Sequence, residues 1–323
     1  MFGGPGYPVE PMAALPDPAS SIAAAPPPAR AGALHRVRAY VMLTKPRVIE
    51  LLLVTTVPSM VLAEQGWPSL GLVLAVLLGG TLAAGGANTI NCVIERDRDQ
   101  VMQRTHARPL PQGEVSPVAA LVFGLVLEVF AFVWLTVTAN LLAAALAVSA
   151  TLFYVFVYTI WLKPRSDQNI VIGGAAGAVP VLVGWAAVTG SLAAPAWVLF
   201  AVIFLWTPPH FWALAVRYRD DYERAGIPML PVVRGLRAAG RQIALYSFLV
   251  VAASLVLPLV GDVGWIYTVA AALLGTWFIV AALRLVRGMD ADRAIRFFTF
   301  SNTYLALLFL LVAVDVLVRS AML

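Results

Sequence analysis

Long apolar runs with almost no charge recur along this chain, and they constrain its fold more than any other feature. One of them, LGLVLAVLLGGTLAAGGANT, contains no charged residue. About 20 such residues are what a helix needs to cross the hydrocarbon core of a bilayer. Only 12% of the 323 residues are charged, whereas soluble domains are about a quarter charged. The alternating segments typical of a membrane barrel are absent, so we predict an all-α, polytopic membrane protein.

The apolar runs predict nine transmembrane helices. Residues 1–34 are rich in Pro, Ala and Gly and predict a disordered tail, which leaves 35–323 as a single transmembrane domain. Two long charged loops lie four spans apart, which suggests four-helix repeats at about 48–162 and 169–284 followed by a ninth helix. The predicted spans are roughly 48–66, 69–95, 116–138, 141–162, 169–188, 195–216, 242–260, 264–284 and 296–318.

The basic residues predict how the chain is oriented. Nine spans place all of the 22 Lys and Arg residues on one face except Arg319. Loops rich in Lys and Arg stay in the cytoplasm, so we predict a cytoplasmic N-terminus and a C-terminus on the opposite side. The net charge of +5 therefore reports topology and gives no reason to expect nucleic acid as a partner. The single cysteine, Cys92, excludes an internal disulfide.

A charged segment, NTINCVIERDRDQVMQRTHARPLP (88–111), begins at the end of the second predicted span and continues beyond it. At 100° per residue, Asn91, Glu95 and Asp99 lie on one stripe of a helix and Asp97 lies on its back. Mg²⁺ usually takes one or two carboxylates and completes its shell with water and phosphate oxygens. The stripe therefore predicts a magnesium site for a diphosphate.

Basic residues at the same face are candidates for diphosphate contacts, since Arg and Lys bind phosphate oxygens. An alternative for each of them is that it only sets the membrane topology. The candidates are Lys45, Arg47, Arg104, Arg108, Lys163, Arg165 and Arg217.

A second unusual segment, WTPPHFWALAVRYRDDYERAGIPMLPVV, starts inside the sixth span. His210, Arg217 and Asp221 fall on one helical stripe. We expect Pro208 and Pro209 to interrupt the helix and to leave carbonyls without donors.

A histidine inside a membrane span is a candidate functional residue, although a freed carbonyl could also satisfy His210. Trp206 and Trp212 line an apolar pocket or belong to an interfacial belt. Three acids within spans are expected to face the interior of the bundle, namely Glu50, Glu128 and Asp315.

These motifs resemble those of the protohaem IX farnesyltransferases (haem O synthases), a group within the UbiA-type intramembrane prenyltransferases. The resembling segments are NTINCVIERDRDQVMQRTHARPLPQG, WTPPHFWALAVRYRDDYERAGIPMLPVV, LTKPRVIELLLVTT and QNIVIGGAAGAVPVLVGWAAVTGSL. The resemblance runs from about residue 40 to 318. The segment Pro-Pro-His-Phe-Trp is the most specific, because the wider superfamily usually has acidic residues there.

The resemblance implies nine helices around a central cavity, Mg²⁺ as cofactor, and farnesyl diphosphate and protohaem IX as substrates. It implies transfer of the farnesyl group to a haem vinyl group with addition of water, which gives haem O and diphosphate. It also implies a bacterial-type inner membrane, with a haem A synthase or a terminal oxidase as the recipient of the product.

The resemblance also implies roles for single residues. Asn91, Glu95 and Asp99 would hold Mg²⁺ and diphosphate, with Asp221 as a further metal ligand, and all four would be catalytic together with His210. Glu95 stands where the family usually has Asp. His210 could ligate haem iron, hydrogen-bond a propionate or orient the diphosphate. The residues assigned to haem binding are His210, Trp206 and Trp212.

Two other functions are compatible with parts of the sequence. One is prenylation of an aromatic acid or a quinone precursor by another member of the superfamily, which the segment around His210 disfavours. The other is transport, since transporters also have repeated halves and broken helices. A transporter would place polar residues near mid-membrane, whereas the densest charge in this chain lies at one face.

Overall fold

The computed structural model describes residues 32–322, and this part of the chain is helical with no strands. Nine of its helices are long and apolar enough to cross a membrane, which confirms the predicted all-α polytopic class. Most of the predicted tail, residues 1–31, lies outside the described residues. Its last two residues, Ala33 and Leu34, begin the first helix.

The helices are numbered α1 to α12 in chain order. Their bounds are α1 Ala33–Leu43, α2 Pro46–Glu64, α3 Leu70–Val101, α4 Pro117–Thr138, α5 Leu141–Leu152, α6 Asn169–Thr189, α7 Ala194–Arg217, α8 Arg219–Arg224, α9 Leu230–Val233, α10 Gly235–Val260, α11 Trp265–Arg287 and α12 Ala291–Ser320. A π-helix, Phe153–Leu162, continues α5, and the two together form one span. The short helices α1, α8 and α9 are not spans.

Polar side chains fix where several spans begin. Ser69, Ser116, Asn140 and Asp290 each accept a hydrogen bond from a backbone N–H three residues later, at the starts of α3, α4, α5 and α12. The first N–H groups of a helix have no partner within it, and such caps satisfy one of them. The caps therefore set the ends of four spans whose interiors are almost uniformly apolar.

Each span packs against the next one along the chain, and the last span closes the bundle. α12 lies against α2, α7 and α11, while α2 also packs directly on α6. The largest buried cluster joins α6, α7, α10, α11 and α12 through side chains such as Trp185, Trp212 and Phe278. This succession brings the end of α3, the start of α6 and the end of α7 to the same end of the bundle.

The α3–α4 pair is the most extensive helix contact, and glycines allow it. A methyl group at Gly86 would lie 2.8 Å from the carbonyl oxygen of Gly124, and one at Gly124 would lie 2.9 Å from Ile90. Small residues let membrane helices approach closely. Glu128 of α4 is half-buried beside this contact, where it accepts a hydrogen bond from Thr151 Oγ1 at 3.0 Å.

The three acids within spans have different environments. Asp315 is fully buried, as expected, and its carboxylate accepts hydrogen bonds from the backbone N–H groups of Gly264 and Tyr267 at the start of α11. It therefore acts as a cap supplied by a neighbouring helix. Glu50 is exposed, so it is not buried among the helices as Asp315 is.

Candidate active site

The acidic stripe lies on the last turns of α3. Asn91, Glu95 and Asp99 are 1%, 4% and 3% exposed, whereas Asp97 is exposed and pairs with its neighbour Arg96. The sequence predicted that the second span ends near residue 95, but α3 continues to Val101. The helix extends because its stripe is buried against other elements, and the extension keeps all three polar side chains on one face.

Each buried carboxylate of the stripe is paired with a cation. Lys163, which directly follows the π-helix, pairs with Glu95, and Arg108 Nη1 lies 2.6 Å from Asp99 Oδ2. Thr105 Oγ1 donates to the backbone carbonyl of Asp99 at 3.1 Å. A buried charge is costly unless it is paired and hydrogen-bonded, so these partners offset the cost of burying the two carboxylates.

Asn91 links three elements at the top of the stripe. Its Oδ1 accepts from Lys45 Nζ at 2.6 Å, and its Nδ2 donates to Thr159 Oγ1 at 3.1 Å. Lys45 lies between α1 and α2 with φ 55°, in the left-handed region. A side chain larger than glycine costs about 1–3 kcal/mol there, and such strain concentrates at functional sites.

The acidic stripe and the three cations that it holds, Lys45, Lys163 and Arg108, form a buried polar cluster. All three cations have shifted pKa values. Burial lowers the pKa of Lys45. Burial also disfavours the charged forms of Lys163 and Arg108, but Glu95 and Asp99 outweigh it and raise both pKa values. Lys163 and Arg108 therefore stay protonated, and the cluster is a buried set of alternating charges.

The second motif meets the first through a loop. Asp221, buried on α8, accepts a hydrogen bond from the backbone N–H of Arg104 at 3.2 Å and pairs with Arg224. Met102 and Tyr222 also belong to one buried apolar cluster in this region. The segments that follow α3 and α7 are thus in direct contact at one end of the bundle.

The stripe predicted for the second motif is not one continuous helix. α7 ends at Arg217 and Asp221 belongs to α8, and Arg217 is exposed. The predicted interruption before His210 is also wrong, because α7 runs through Pro208 and Pro209. Neighbouring helices make proline tolerable inside a membrane span.

His210 lies deeper in the bundle than Asp221. Asp221 belongs to α8, whereas His210 lies seven residues, or about 10 Å along the helix axis, before the end of α7 at Arg217. Its imidazole is stacked between Trp206 and Phe298, with ring centroids 4.1 and 4.2 Å away. Trp206 also donates from Nε1 to the backbone carbonyl of Ser301 at 3.0 Å, so α7 and α12 together fix the plane of the imidazole ring.

The hydrogen bonds of Ser301 favour one tautomer of His210. Ser301 Oγ lies 2.7 Å from the carbonyl oxygen of Phe298, to which it can donate, and 2.7 Å from Nδ1 of His210. A hydroxyl has one hydrogen to donate, so when Ser301 donates it to Phe298, His210 Nδ1 carries a proton and donates to Ser301. In the neutral ring, Nε2 then holds the lone pair.

Several predicted site residues lie away from the buried cluster. Trp212 makes an edge contact with Tyr246 on α10, so it does not share the stack on His210. Arg165 is exposed and donates to the carbonyls of Ile160 and Trp161 at the end of its own helix. Three other cations that were predicted to contact diphosphate are also exposed, at the same end of the bundle as the stripe. They are Arg47, Arg104 and Arg217.

The oxygen atoms of the stripe can supply some of the ligands of a Mg²⁺ ion but not a complete set. The residues that the structure describes contain no group of three or more His, Cys, Asp or Glu side chains placed to hold a metal together. An all-protein cage from Glu95, Asp99 and Asp221 is therefore not formed. One or two carboxylates with an amide oxygen suit an ion that takes its other ligands from substrate phosphate and water.

Comparison with known proteins identifies the chain's relatives. Residues 52–311 match the UbiA prenyltransferase family. The chain belongs to the UbiA prenyltransferase family. This UbiA member is 54% identical over 288 residues to the protoheme IX farnesyltransferase of Clavibacter sepedonicus, which covers 88% of the chain and 94% of that protein. It is also 54% identical over 307 residues to protoheme IX farnesyltransferase 1 of Saccharopolyspora erythraea, which covers 94% and 97%.

Solved structures share the fold of this UbiA prenyltransferase. A digeranylgeranylglyceryl phosphate synthase structure superposes with a TM-score of 0.72 at 18% identity and covers 87% of this chain and 99% of that one. A UbiA homolog from Archaeoglobus fulgidus bound to GPP and Mg²⁺ gives a TM-score of 0.61 at 18% identity, covering 85% and 99%. At this identity the likeness shows the fold.

Some polar residues that support the site of this prenyltransferase were not predicted from the sequence. Thr105, Thr159 and Ser301 each hydrogen-bond a predicted site residue. A threonine or serine in an apolar helix commonly bonds its own backbone, so nothing in the sequence separates these three from the others. Asn88, one turn before Asn91, donates to the carbonyl of Thr44 at 2.9 Å.

Proposed function

We propose that this protein transfers the farnesyl group of farnesyl diphosphate to a vinyl group of protohaem IX with addition of water, giving haem O and diphosphate. The observation that carries the proposal is the identity of 54% over 88% of the chain to a protoheme IX farnesyltransferase, of which the match covers 94%. The buried cluster on α3 supplies the charges that such a reaction needs. Haem O would then pass to a haem A synthase or a terminal oxidase.

The diphosphate would bind at the end of the bundle, where α3 carries its stripe. Asn91, Glu95 and Asp99 would hold Mg²⁺, and Asp221 lies in the adjacent segment that contacts Arg104. When bound there, Mg²⁺ would neutralise charge on the diphosphate oxygens. The binding of a prenyl diphosphate and Mg²⁺ by the related Archaeoglobus fulgidus protein supports this assignment.

The cations of the cluster would stabilise the departing diphosphate. Lys45, Lys163 and Arg108 are held by Asn91, Glu95 and Asp99 at the same site. Fixed positive groups aimed at developing negative charge lower a barrier most in a site that excludes water. As the bond between C1 of the farnesyl group and the diphosphate oxygen breaks, the haem vinyl group forms a bond to that C1. Water then adds to the resulting cation and loses a proton.

His210 would bind the haem iron through Nε2. The tautomer set by Ser301 leaves a lone pair on that nitrogen. A lone pair can bind iron, but it cannot donate a hydrogen bond to a propionate or to diphosphate. Of the roles open to His210, the hydrogen bonds therefore favour iron ligation. The stack between Trp206 and Phe298 would hold the ring in place while the vinyl group reacts.

A direct assay tests the proposal. Purified protein in lipid nanodiscs is incubated with labelled farnesyl diphosphate and Mg²⁺, together with either protohaem IX or 4-hydroxybenzoate. We expect a labelled haem product whose mass corresponds to addition of the farnesyl group and water, and no labelled benzoate. A prenylated benzoate without a haem product would refute the haem assignment. Movement of substrate across sealed vesicles without chemical conversion would favour transport.

The metal requirement is tested in the same assay. We expect chelation of divalent cations to abolish product formation and added Mg²⁺ to restore it, because the stripe would hold Mg²⁺ together with oxygens of the substrate. Unchanged product formation after complete chelation would contradict the role given to the stripe. The reaction is expected at a cytoplasmic membrane of bacterial type, on the cytoplasmic side.

A further inference from the structure

A groove lies between the last turns of α11 and the first turns of α12, separate from the buried cluster. Its volume is about 530 Å³, and four arginines line it. All four are exposed. Because successive spans alternate in direction, this groove opens at the same end of the bundle as the acidic stripe. The lining arginines are Arg284, Arg287, Arg293 and Arg296.

The groove carries an excess of positive charge. Arg293 Nε pairs with Asp290 Oδ2 at 3.1 Å, and the other three guanidinium groups have no carboxylate within ion-pair distance in residues 32–322. Arg284 and Arg287 lie in the last turn of α11, where a cation offsets the helix dipole. Arg293 lies in the first turn of α12, where the dipole disfavours a cation. Arg284, Arg287 and Arg296 therefore give the groove a positive charge that no carboxylate of the described residues balances, and an anion in the groove would balance it.

The groove continues from the arginines into an apolar part. Trp277 and Phe300 form its deeper wall, with ring centroids 4.9 Å apart. Trp277 lies seven residues before Arg284 on the same face of α11, about 10 Å further into the span. It is 56% exposed. A ligand that satisfies both parts has an anionic head and an apolar tail aligned with the helices.

We propose that this groove binds an anionic phospholipid, with the phosphate of its headgroup among Arg284, Arg287 and Arg296 and an acyl chain against Trp277 and Phe300. Arginine matches phosphate because its fork donates two parallel hydrogen bonds. A soluble phosphate would use the arginines alone and would leave the aromatic wall without a partner. The phospholipid is therefore the occupant that both parts of the groove favour. The proposal is independent of the reaction assigned to the stripe.

The test measures lipid binding to the delipidated full-length protein by native mass spectrometry. Dioleoyl phosphatidylglycerol is compared with dioleoyl phosphatidylcholine, which has the same chains and no net charge. We expect the double variant Arg284→Gln/Arg296→Gln to bind phosphatidylglycerol about 30-fold more weakly, since each basic residue near an anionic lipid surface contributes about a factor of five. Its binding of phosphatidylcholine should not change.

A matched control removes the same charge from the same end of the bundle. Arg36 and Arg38 on α1 are exposed and lie outside the groove, so Arg36→Gln/Arg38→Gln should bind phosphatidylglycerol as the unmodified protein does. Equal losses in the two double variants, or equal affinity of the unmodified protein for both lipids, would refute the site. Displacement of phosphatidylglycerol by an equal concentration of inorganic phosphate would show that the groove binds soluble phosphate instead.

Two further variants separate binding from folding. Arg284→Lys/Arg296→Lys keeps both charges and should retain most of the affinity for phosphatidylglycerol. Trp277→Ala should weaken binding of the dioleoyl lipid but leave dihexanoyl phosphatidylglycerol unaffected, because the short chains do not reach the aromatic wall. Equal effects of Trp277→Ala on both chain lengths would contradict the assignment of the tail.

Discussion

Asp97 and Asp99 lie two residues apart on α3 in opposite environments. Asp99 is buried and paired with Arg108, whereas Asp97 is exposed on the back of the helix. We predict that Asp99→Ala lowers the turnover number about 100- to 1,000-fold, the usual loss when a group that stabilises transition-state charge is removed. The measurement is haem O formation by equal amounts of purified protein.

The control for this prediction is Asp97→Ala. It removes a carboxylate from the same turn of α3 and should leave turnover unchanged, because the side chain of Asp97 is exposed and its ion pair within the described chain is with the neighbouring Arg96. Both variants should insert into the membrane in normal amounts. Near-normal turnover by Asp99→Ala would exclude the stripe as the diphosphate site.

Ser301 permits a second prediction at the residue scale. Ser301→Ala removes the acceptor that keeps the proton of His210 on Nδ1. We expect a changed absorption spectrum of bound haem and about 10- to 100-fold weaker activity, the loss typical when the partner of a metal-ligating histidine is removed. Ser301→Thr, which keeps the hydroxyl, should restore both.

Ser247→Ala is the matched control for Ser301→Ala. Ser247 is also fully buried in a span, but its hydroxyl bonds only its own helix, at the carbonyl of Ile243. We expect its haem spectrum to equal that of the unmodified protein. An unchanged spectrum in Ser301→Ala as well would show that Nε2 of His210 does not bind iron.

The sequence predicts some of these residues and not others for a physical reason. Asn91, Glu95 and Asp99 belong to one helix, so helical geometry alone places them on one face. Thr159 and Ser301 reach the site from other helices, 68 and 91 positions from Asn91 and His210. Which helices pack together depends on the whole bundle, and a single sequence does not contain that information in a local pattern.

At the scale of elements, apolar runs predicted all nine membrane spans of the described chain. The predicted end of α3 was wrong because hydropathy falls at the charged stripe, although burial keeps the helix going to Val101. The π-helix Phe153–Leu162 was not predicted, since a uniformly apolar run gives no sign of a change in hydrogen-bond register. The prediction that Pro208 and Pro209 interrupt the helix was wrong, because α7 continues through both and neighbouring helices make proline tolerable inside a span.

The α3–α4 contact yields a prediction for an element. A methyl group at Gly86 would lie 2.8 Å from both the Gly124 carbonyl oxygen and Glu128 Oε1. Backbone atoms cannot yield as a flexible side chain can, so Gly86→Ala must push α4 away from α3. We expect a loss of about 1–3 kcal/mol in stability, as for other overpacked sites, seen as a lower melting temperature in detergent.

Gly80→Ala is the control for this contact. Gly80 lies on the same helix, and a methyl group there would meet only Leu53, at an ordinary distance of 3.7 Å. Its melting temperature should be equal to or above that of the unmodified protein, because alanine favours helix more than glycine. Equal melting temperatures for both variants would show that the α3–α4 contact tolerates a wider spacing.

At the scale of the whole molecule, the polar chemistry is concentrated at one end of an apolar bundle. The stripe on α3, Asp221 and the arginine groove all lie where α3, α7 and α11 end. At the other end, Arg319 is the only basic residue of the described spans and pairs with Asp262 at 2.7 Å. The stripe on α3 and Asp221 therefore lie at the basic end of the bundle, opposite the end that carries Arg319.

This asymmetry predicts the orientation of the protein, and cysteine labelling tests it. Cys92 is buried and is first replaced by alanine, and Gln103→Cys or Ser191→Cys is then added in an exposed loop at each end. Loops rich in Lys and Arg stay in the cytoplasm. We expect a membrane-impermeant maleimide to label Gln103→Cys only in inverted vesicles and Ser191→Cys only in right-side-out vesicles. Both should react in detergent, which shows that each thiol is accessible.

The opposite labelling pattern would contradict the proposed function. It would place the diphosphate site outside the cell, where cytoplasmic farnesyl diphosphate could not reach it.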